Sequence, residues 1–161
     1  DNMTTFSVSA WFYPQTLGEN SRGVIVSKAF GAPSVGWFLR IIPGSSAVQF
    51  SVAYPTVLNK GTTANSITLN TWNYVVVTWD GLTDASGVHI YINGVEATYG
   101  TPTNGSGTRV DDNAQNLLIG EQNNGTNAFD GIIDEVGIWN RVLSLGEVST
   151  LYNAGTGLTC P

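Results

Sequence analysis

The sequence predicts an all-β protein: a sandwich or barrel of short strands, with one short helix near its C-terminal end. Three observations carry this. Apolar residues recur with period two along the whole chain, in runs separated by clusters of Gly, Pro, Asn and Ser. Gly, Ser, Thr and Asn supply 65 of the 161 residues, a composition of many turns and a neutral, hydroxyl- and amide-rich surface. An Asn93-Gly94 pair stands between two apolar runs, and Asn-Gly accepts the positive φ angles of a type I′ hairpin turn.

Each element follows from its own residues. Phe6 to Tyr13 alternates, with Phe6, Val8, Ala10 and Phe12 on one face and Ser7, Ser9, Trp11 and Tyr13 on the other, and Pro14 ends it. Gly23 to Lys28 is a short apolar strand, and Gly36 to Ile42 a longer one stopped by Pro43-Gly44. Val48, Phe50, Val52 and Tyr54 alternate with Gln49, Ser51 and Ala53 until Pro55. Trp72 to Trp79 is apolar on both faces, so it is expected at the centre of a sheet and covered on both sides. Val88 to Ile92 and the residues from Val95 onward form the Asn93-Gly94 hairpin. Asn116 to Gly120 and Phe129 to Trp139 are the last strands, the latter with Ile132, Asp134, Val136 and Ile138 on one face. The helix begins at the capping box Ser144-Leu145-Gly146-Glu147, carries Val148, Leu151 and Tyr152 as its apolar stripe, and ends at Asn153-Ala154-Gly155.

Composition limits the function. Charged residues make up 11% of the chain, less than half the usual share of about 25%. Six Lys and Arg against twelve Asp and Glu give a net charge of −6, which argues against a nucleic-acid binder and against adhesion to anionic lipid. No stretch approaches the ~18 apolar residues of a membrane span, so no membrane insertion is expected. A single Cys, Cys160, excludes an internal disulfide and a Cys-based zinc site, and a single His, His89, excludes two-His metal motifs.

The stretches FSVSAWFYP (6–14), WNYVVVTWDG (72–81), VHIYINGVE (88–96), LLIGEQ (117–122) and FDGIIDEVGIWNRVLSLGEVSTLYNAG (129–155) resemble, in this order, the laminin-G-like jelly rolls of the concanavalin A-like lectin superfamily, which also contains the pentraxins. The resemblance implies a two-sheet antiparallel jelly-roll sandwich spanning residues 1–161 as one domain, with a concave groove on one sheet. It also implies a missing element, because members of the family carry another strand before the first matching stretch. A neighbouring chain or domain would then supply that edge strand, or an edge near the N-terminus would stand open.

Catalysis finds little support in the residues. Hydrolases that resemble this fold place two carboxylates on one strand face, whereas simple alternation points Asp134 and Glu135 to opposite faces. Nothing near His89 resembles a nucleophile elbow, so the chain is expected not to be an enzyme. Calcium is the one cofactor the resemblance suggests, through Asp134 as a structural ligand or through Glu121 and Asn123 in a loop similar to the pentraxin calcium loop. Sugar recognition needs flat rings for C–H surfaces and planar polar groups for hydroxyls. Trp11, Tyr13, His89, Tyr91, Arg40 and Gln49 all lie off the apolar faces of their strands, and they would form one patch if those faces coincide. The expected function is therefore a non-catalytic recognition module that binds a glycan or mediates adhesion within a larger extracellular, cell-surface or virion protein. The competing expectation is a structural decoration domain that contacts only a protein surface, as in a phage tail or head fibre or a bacterial surface protein.

Overall fold

The computed structural model describes residues 3–31, 33–122 and 125–157. In chain order the strands are β1 (Phe6–Pro14), β2 (Val24–Phe30), β3 (Val35–Ile41), β4 (Val48–Val52), β5 (Leu58–Gly61), β6 (Asn73–Trp79), β7 (Val88–Ile92), β8 (Val95–Glu96), β9 (Leu118–Ile119) and β10 (Gly131–Trp139). They form two five-stranded antiparallel sheets, ordered β10-β1-β6-β7-β8 and β5-β4-β3-β2-β9. The one α-helix among the described residues, α1 (Leu145–Tyr152), follows the last strand. This is the all-β sandwich that the alternation predicts.

The core lies between the sheets. Phe6 of β1 and Trp79 of β6 meet Trp37 of β3 and Phe50 of β4, with ring centroids 4.8 to 6.5 Å apart. All four are at most 1% exposed. Each such side chain contributes roughly 1.5–3 kcal/mol by leaving water. The inward set Phe6, Val8, Ala10 and Phe12 is the one that strand parity assigns.

A second, smaller core lies on the outer side of the first sheet. There α1 covers Tyr74, Val76 and Tyr91 with Leu143 and Val148. The helix starts where the sequence places it. Ser144 Oγ accepts the Glu147 N–H, the Glu147 carboxylate accepts the Ser144 N–H at 2.8 Å, and Arg141 binds the same carboxylate at 2.6 Å. The Asn93-Gly94 turn has both φ angles positive and packs under the Tyr152 ring, where a Cβ on Gly94 would come within 2.7 Å.

The structure adds two details and corrects two expectations. Residues 58–61, where no alternating run stands out, form β5, because Lys60 turns inward and donates to the carbonyls of Ala85 and Val88 at 3.0 and 2.6 Å. The hairpin's second strand is two residues long. Trp72 precedes β6 rather than starting it and is 44% exposed. The first matching strand is not an edge, because β10 pairs along one side of β1 and β6 along the other. The edges of that sheet are β10 and β8.

Among the described residues one acid is buried. Asp112, in a loop of polar sequence, is 1% exposed and receives Lys28 Nζ at 3.2 Å and Arg109 Nη2 at 2.7 Å. Arg109 also donates to the Met3 carbonyl, which ties the 109–112 segment to the start of the chain. Asp112→Asn should therefore cost about 3–5 kcal/mol in urea unfolding, because two cations lose their counter-charge. A loss below about 1 kcal/mol would show that the pair is not anchored there.

The cap makes a pH prediction. The Arg141 guanidinium, then the Ser144 backbone N–H, hold the Glu147 carboxyl down from its ordinary 4.5 to about 2. A depressed carboxyl contributes stability above its unfolded pKa and loses it as pH falls towards its folded one. Glu147→Gln keeps the shape of the cap and removes the charge. Wild type should melt higher than this variant above pH 5, and the gap should close between about pH 4.5 and about 2. A gap that is constant with pH would exclude the charge as its source.

Candidate functional site

Two surfaces divide the residues that sequence parity brings together. Trp11, Tyr13, His89 and Tyr91 lie on the outer face of the first sheet. Arg40 and Gln49 are register partners on β3 and β4 and lie on the outer face of the second. The single patch expected from strand parity does not exist, because the two sets are on opposite sides of the sandwich.

On the first sheet, the helix decides what a ligand could reach. Tyr91 points away from the inter-sheet core, as parity requires, but it is 8% exposed beneath Leu143 and Val148. Its neighbour His89 is half-buried, with Nδ1 2.7 Å from Glu96 Oε1. That contact leads the causes that draw the Glu96 carboxyl below its ordinary range. Tyr99 donates to the same Glu96 oxygen, and burial pushes its phenol well above the usual value. These groups serve one another.

At the other end of the same face a cavity of about 200 Å³ opens between Trp11, Trp72, Asp134, Glu135 and the 155–157 segment. Local geometry explains how the two acids meet there. Ser9 pairs with Gly137 but Trp11 pairs with Asp134, so two residues of β10 oppose Ala10 in a β-bulge. Glu135 takes a φ of +48° in that bulge. Alternation fails at this one point, and Asp134 and Glu135 line the same cavity rather than opposite faces of the sheet.

Each wall has a distinct chemistry. The Trp11 ring packs against Tyr74, tilted at 4.9 Å, and against Tyr152, stacked at 5.9 Å, and those two rings lie 6.1 Å from each other, so the three form one aromatic cluster. The Trp11 Nε1 donor has no hydrogen-bond partner among the described residues. A Cβ built on Gly157 would sit 3.1 Å from this nitrogen and 3.0 Å from Glu135 Oε2, so glycine keeps both accessible. Trp72 stands at the rim with Tyr13 edge-on at 5.8 Å. Asp134 Oδ1 accepts the Glu135 N–H at 2.8 Å. The cavity therefore offers one exposed indole, one N–H donor and two carboxylates. Sequence reasoning missed Trp72 and Glu135: the first looked like a core strand residue, and the second was assigned to the wrong face.

Calcium takes six to eight oxygens; here Asp134 and Glu135 are joined by no third acid among the described residues and face an N–H donor. No group of three or more His, Cys, Asp or Glu stands together among the described residues. Glu121 is exposed beyond β9 and lends its carbonyl to Ser27 Oγ at 3.1 Å, and Asn123 lies outside the described residues.

On the second sheet, Arg40 Nε and Nη2 donate to Gln49 Oε1 at 3.1 and 3.0 Å, and the guanidinium lies 4.3 Å above the Phe38 ring. Gln49 reaches Asn59 Oδ1 at 3.4 Å, and the Ser51 hydroxyl donates to the same oxygen.

Comparison with known proteins fits this architecture. The family profile described as the concanavalin A-like lectin/glucanases superfamily matches residues 1–149. Adhesion G-protein coupled receptor V1 of Danio rerio is 24% identical over 157 residues, which cover 94% of this chain and 2% of that receptor. Among solved structures, the CBM40 domain of Ruminococcus gnavus IT-sialidase bound to α2,3-sialyllactose superposes with a TM-score of 0.67 at 14% identity, over 92% of this chain and 82% of that one. Domain 4 of AbnA, an extracellular arabinanase of Geobacillus stearothermophilus in complex with arabinotriose, gives 0.63 at 20% identity, over 91% and 66%.

The burial of Tyr91 yields a stability prediction. Tyr91→Ala should lower unfolding free energy by about 3 kcal/mol, the scale of removing a packed ring. A change under about 1 kcal/mol would mean that α1 does not seal this face.

Proposed function

Because the chain belongs to the concanavalin A-like lectin/glucanase superfamily, we propose that it is a non-catalytic carbohydrate-recognition module of a larger extracellular or surface protein. The observation that carries this reading is the cavity between Trp11 and Trp72. An exposed indole accepts the C–H face of a sugar ring, while the Trp11 N–H and the two carboxylates match hydroxyls of either polarity. The volume suits one sugar ring or the end of a branch. Glycan-bound neighbours such as the CBM40 and arabinanase domains support the same reading.

Binding is favoured over hydrolysis by the placement of the acids. They are adjacent residues of a bulge rather than acids spaced along one strand face, and one oxygen of Asp134 is already held by the Glu135 N–H. A glycosidase needs its two carboxyl groups on opposite sides of the scissile bond. Asp134 and Glu135 act instead as acceptors for hydroxyl protons, and the bound saccharide is released intact.

A glycan array followed by calorimetry tests this. Wild type should bind a subset of neutral oligosaccharides, and Trp72→Ala should weaken that binding by roughly 1–2 kcal/mol with an unchanged melting temperature, because the ring is exposed. A blank array for the folded wild type would sink the reading in favour of protein-only contacts. So would undiminished affinity in Trp72→Ala.

A further inference from the structure

The chain has six basic side chains, and four of them have clear partners. Lys28 and Arg109 share Asp112, and Arg141 binds Glu147. Lys60 is held by the carbonyls of Ala85 and Val88 and lies 4.0 Å from the centre of the Tyr99 ring. Arg22 and Arg40 have no carboxylate partner among the described residues. They are neighbours, because Val24, two residues after Arg22, is the register partner of Arg40.

Arg40 is held in place before any ligand arrives. Phe38 supports its flat face, and Gln49 Oε1 takes one hydrogen from Nε and one from Nη2. A guanidinium carries five N–H donors in a fixed fork, so both Nη1 hydrogens and one on Nη2 are left without an acceptor among the described residues. The side chain is half-buried. Burial, and then the Arg22 charge, push its pKa down to about 10, so it remains protonated at neutral pH. A half-buried cation beside a second cation is an electrostatic deficit that an anion would relieve. In a chain of net charge −6, this is a local reversal of sign.

We propose that Arg40, with Arg22 beside it, is a subsite for the carboxylate of an acidic sugar on the outer face of the second sheet. It is separate from the Trp72 cavity and goes beyond the function argued for that cavity. The carboxylate is the anion whose planar pair of oxygens matches the guanidinium fork. The sugar is indicated by what surrounds the fork. Gln49 and Asn59, the latter held from below by the buried Ser51 hydroxyl, are the partly exposed amides beside it, which suit ring hydroxyls and offer no apolar pocket for peptide side chains.

The test is an NMR titration of isotope-labelled full chain. It is read at the Arg40 Nε–H and the Gln49 side-chain amide, with the Trp72 indole N–H reporting the other cavity. Methyl β-glucuronide and methyl β-glucoside are the probes, since they differ only in the carboxylate, and acetate and sulfate are the bare-anion arms. The glucuronide should shift the Arg40 signal saturably, with an affinity at least about tenfold above that of the glucoside and of either bare anion. Arg40→Lys keeps the charge and the aliphatic stem but loses the fork, and should cost most of that preference while melting near wild type. Arg40→Gln should abolish it, and Arg22→Gln should weaken it less.

Equal affinity for glucuronide and glucoside would overturn the proposal, as would undiminished preference in a folded Arg40→Lys or Arg40→Gln. Acetate or sulfate binding as tightly as the glucuronide would also overturn it, leaving a general anion site. A polyglutamate peptide that binds more tightly than the glucuronide would reassign the surface to protein. The Trp72 signal, followed with a neutral oligosaccharide, keeps this outcome distinct from the fate of the first cavity.

Discussion

Strand β6 has no face that tolerates water, and the arrangement of the molecule follows from that constraint. Val75, Val77 and Trp79 enter the inter-sheet core, while Tyr74, Val76 and Thr78 project to the other side. All seven of its residues are buried. A sheet built on such a strand needs a second layer on each side. The second sheet supplies one layer, and α1 with Leu143 supplies the other. The Arg141–Glu147–Ser144 cap matters because it starts the helix where Val148 can drop onto Val76 and Tyr91. The Asn93-Gly94 turn matters because its tight backbone leaves room for Tyr152.

The same seal decides where the protein meets other molecules. The helix occupies the middle of the first sheet's outer face, so only its rim remains, at Trp11 and Trp72 beside the β10 bulge. The second sheet has no helix over it among the described residues. Its outer face instead carries a polar network in which Arg40, Gln49, Asn59 and Ser51 bond to one another. The two surfaces have opposite electrostatic character, acidic at Asp134 and Glu135 and basic at Arg22 and Arg40. A single sandwich can thus present two chemically distinct faces without a charged core. The one buried ionic cluster among the described residues, Lys28–Asp112–Arg109, lies apart from both and anchors a loop.

Much of the fold is legible in the residues, and the reasons are local. Alternation in 6–13 and 48–54 reports which side chains face the core, because a pleated strand leaves no other choice. Ser144 and Glu147 announce a helix start through their own hydrogen bonds. The misreadings fall where local rules are overridden. Strand β5 escaped notice because one of its two inward residues, beside Leu58, is a lysine, satisfied by carbonyls 25 and 28 residues away. Asp134 and Glu135 looked opposed because a bulge depends on the partner strand and cannot be seen in one strand alone.

The candidate site was legible only as a set of residue types. The sequence by itself determined the strand periodicity and the inward and outward sides of the regular strands such as β1 and β4, the helix and its cap, and the scarcity of charge; β5 and the bulged β10 are the exceptions. These are properties of neighbours within a few residues, governed by backbone geometry and short-range hydrogen bonds. Tertiary structure alone decided which outward sides share a surface. It put Arg40 and Gln49 on one side of the sandwich and Trp11, Tyr13, His89 and Tyr91 on the other. It also buried Tyr91 under a helix more than fifty residues away in sequence and left Trp72 at the edge of a cavity. The physical reason is that period two fixes a side chain's direction relative to its own strand, whereas the sheet that strand joins, and the layer that covers it, are set by burial of apolar area across the whole chain.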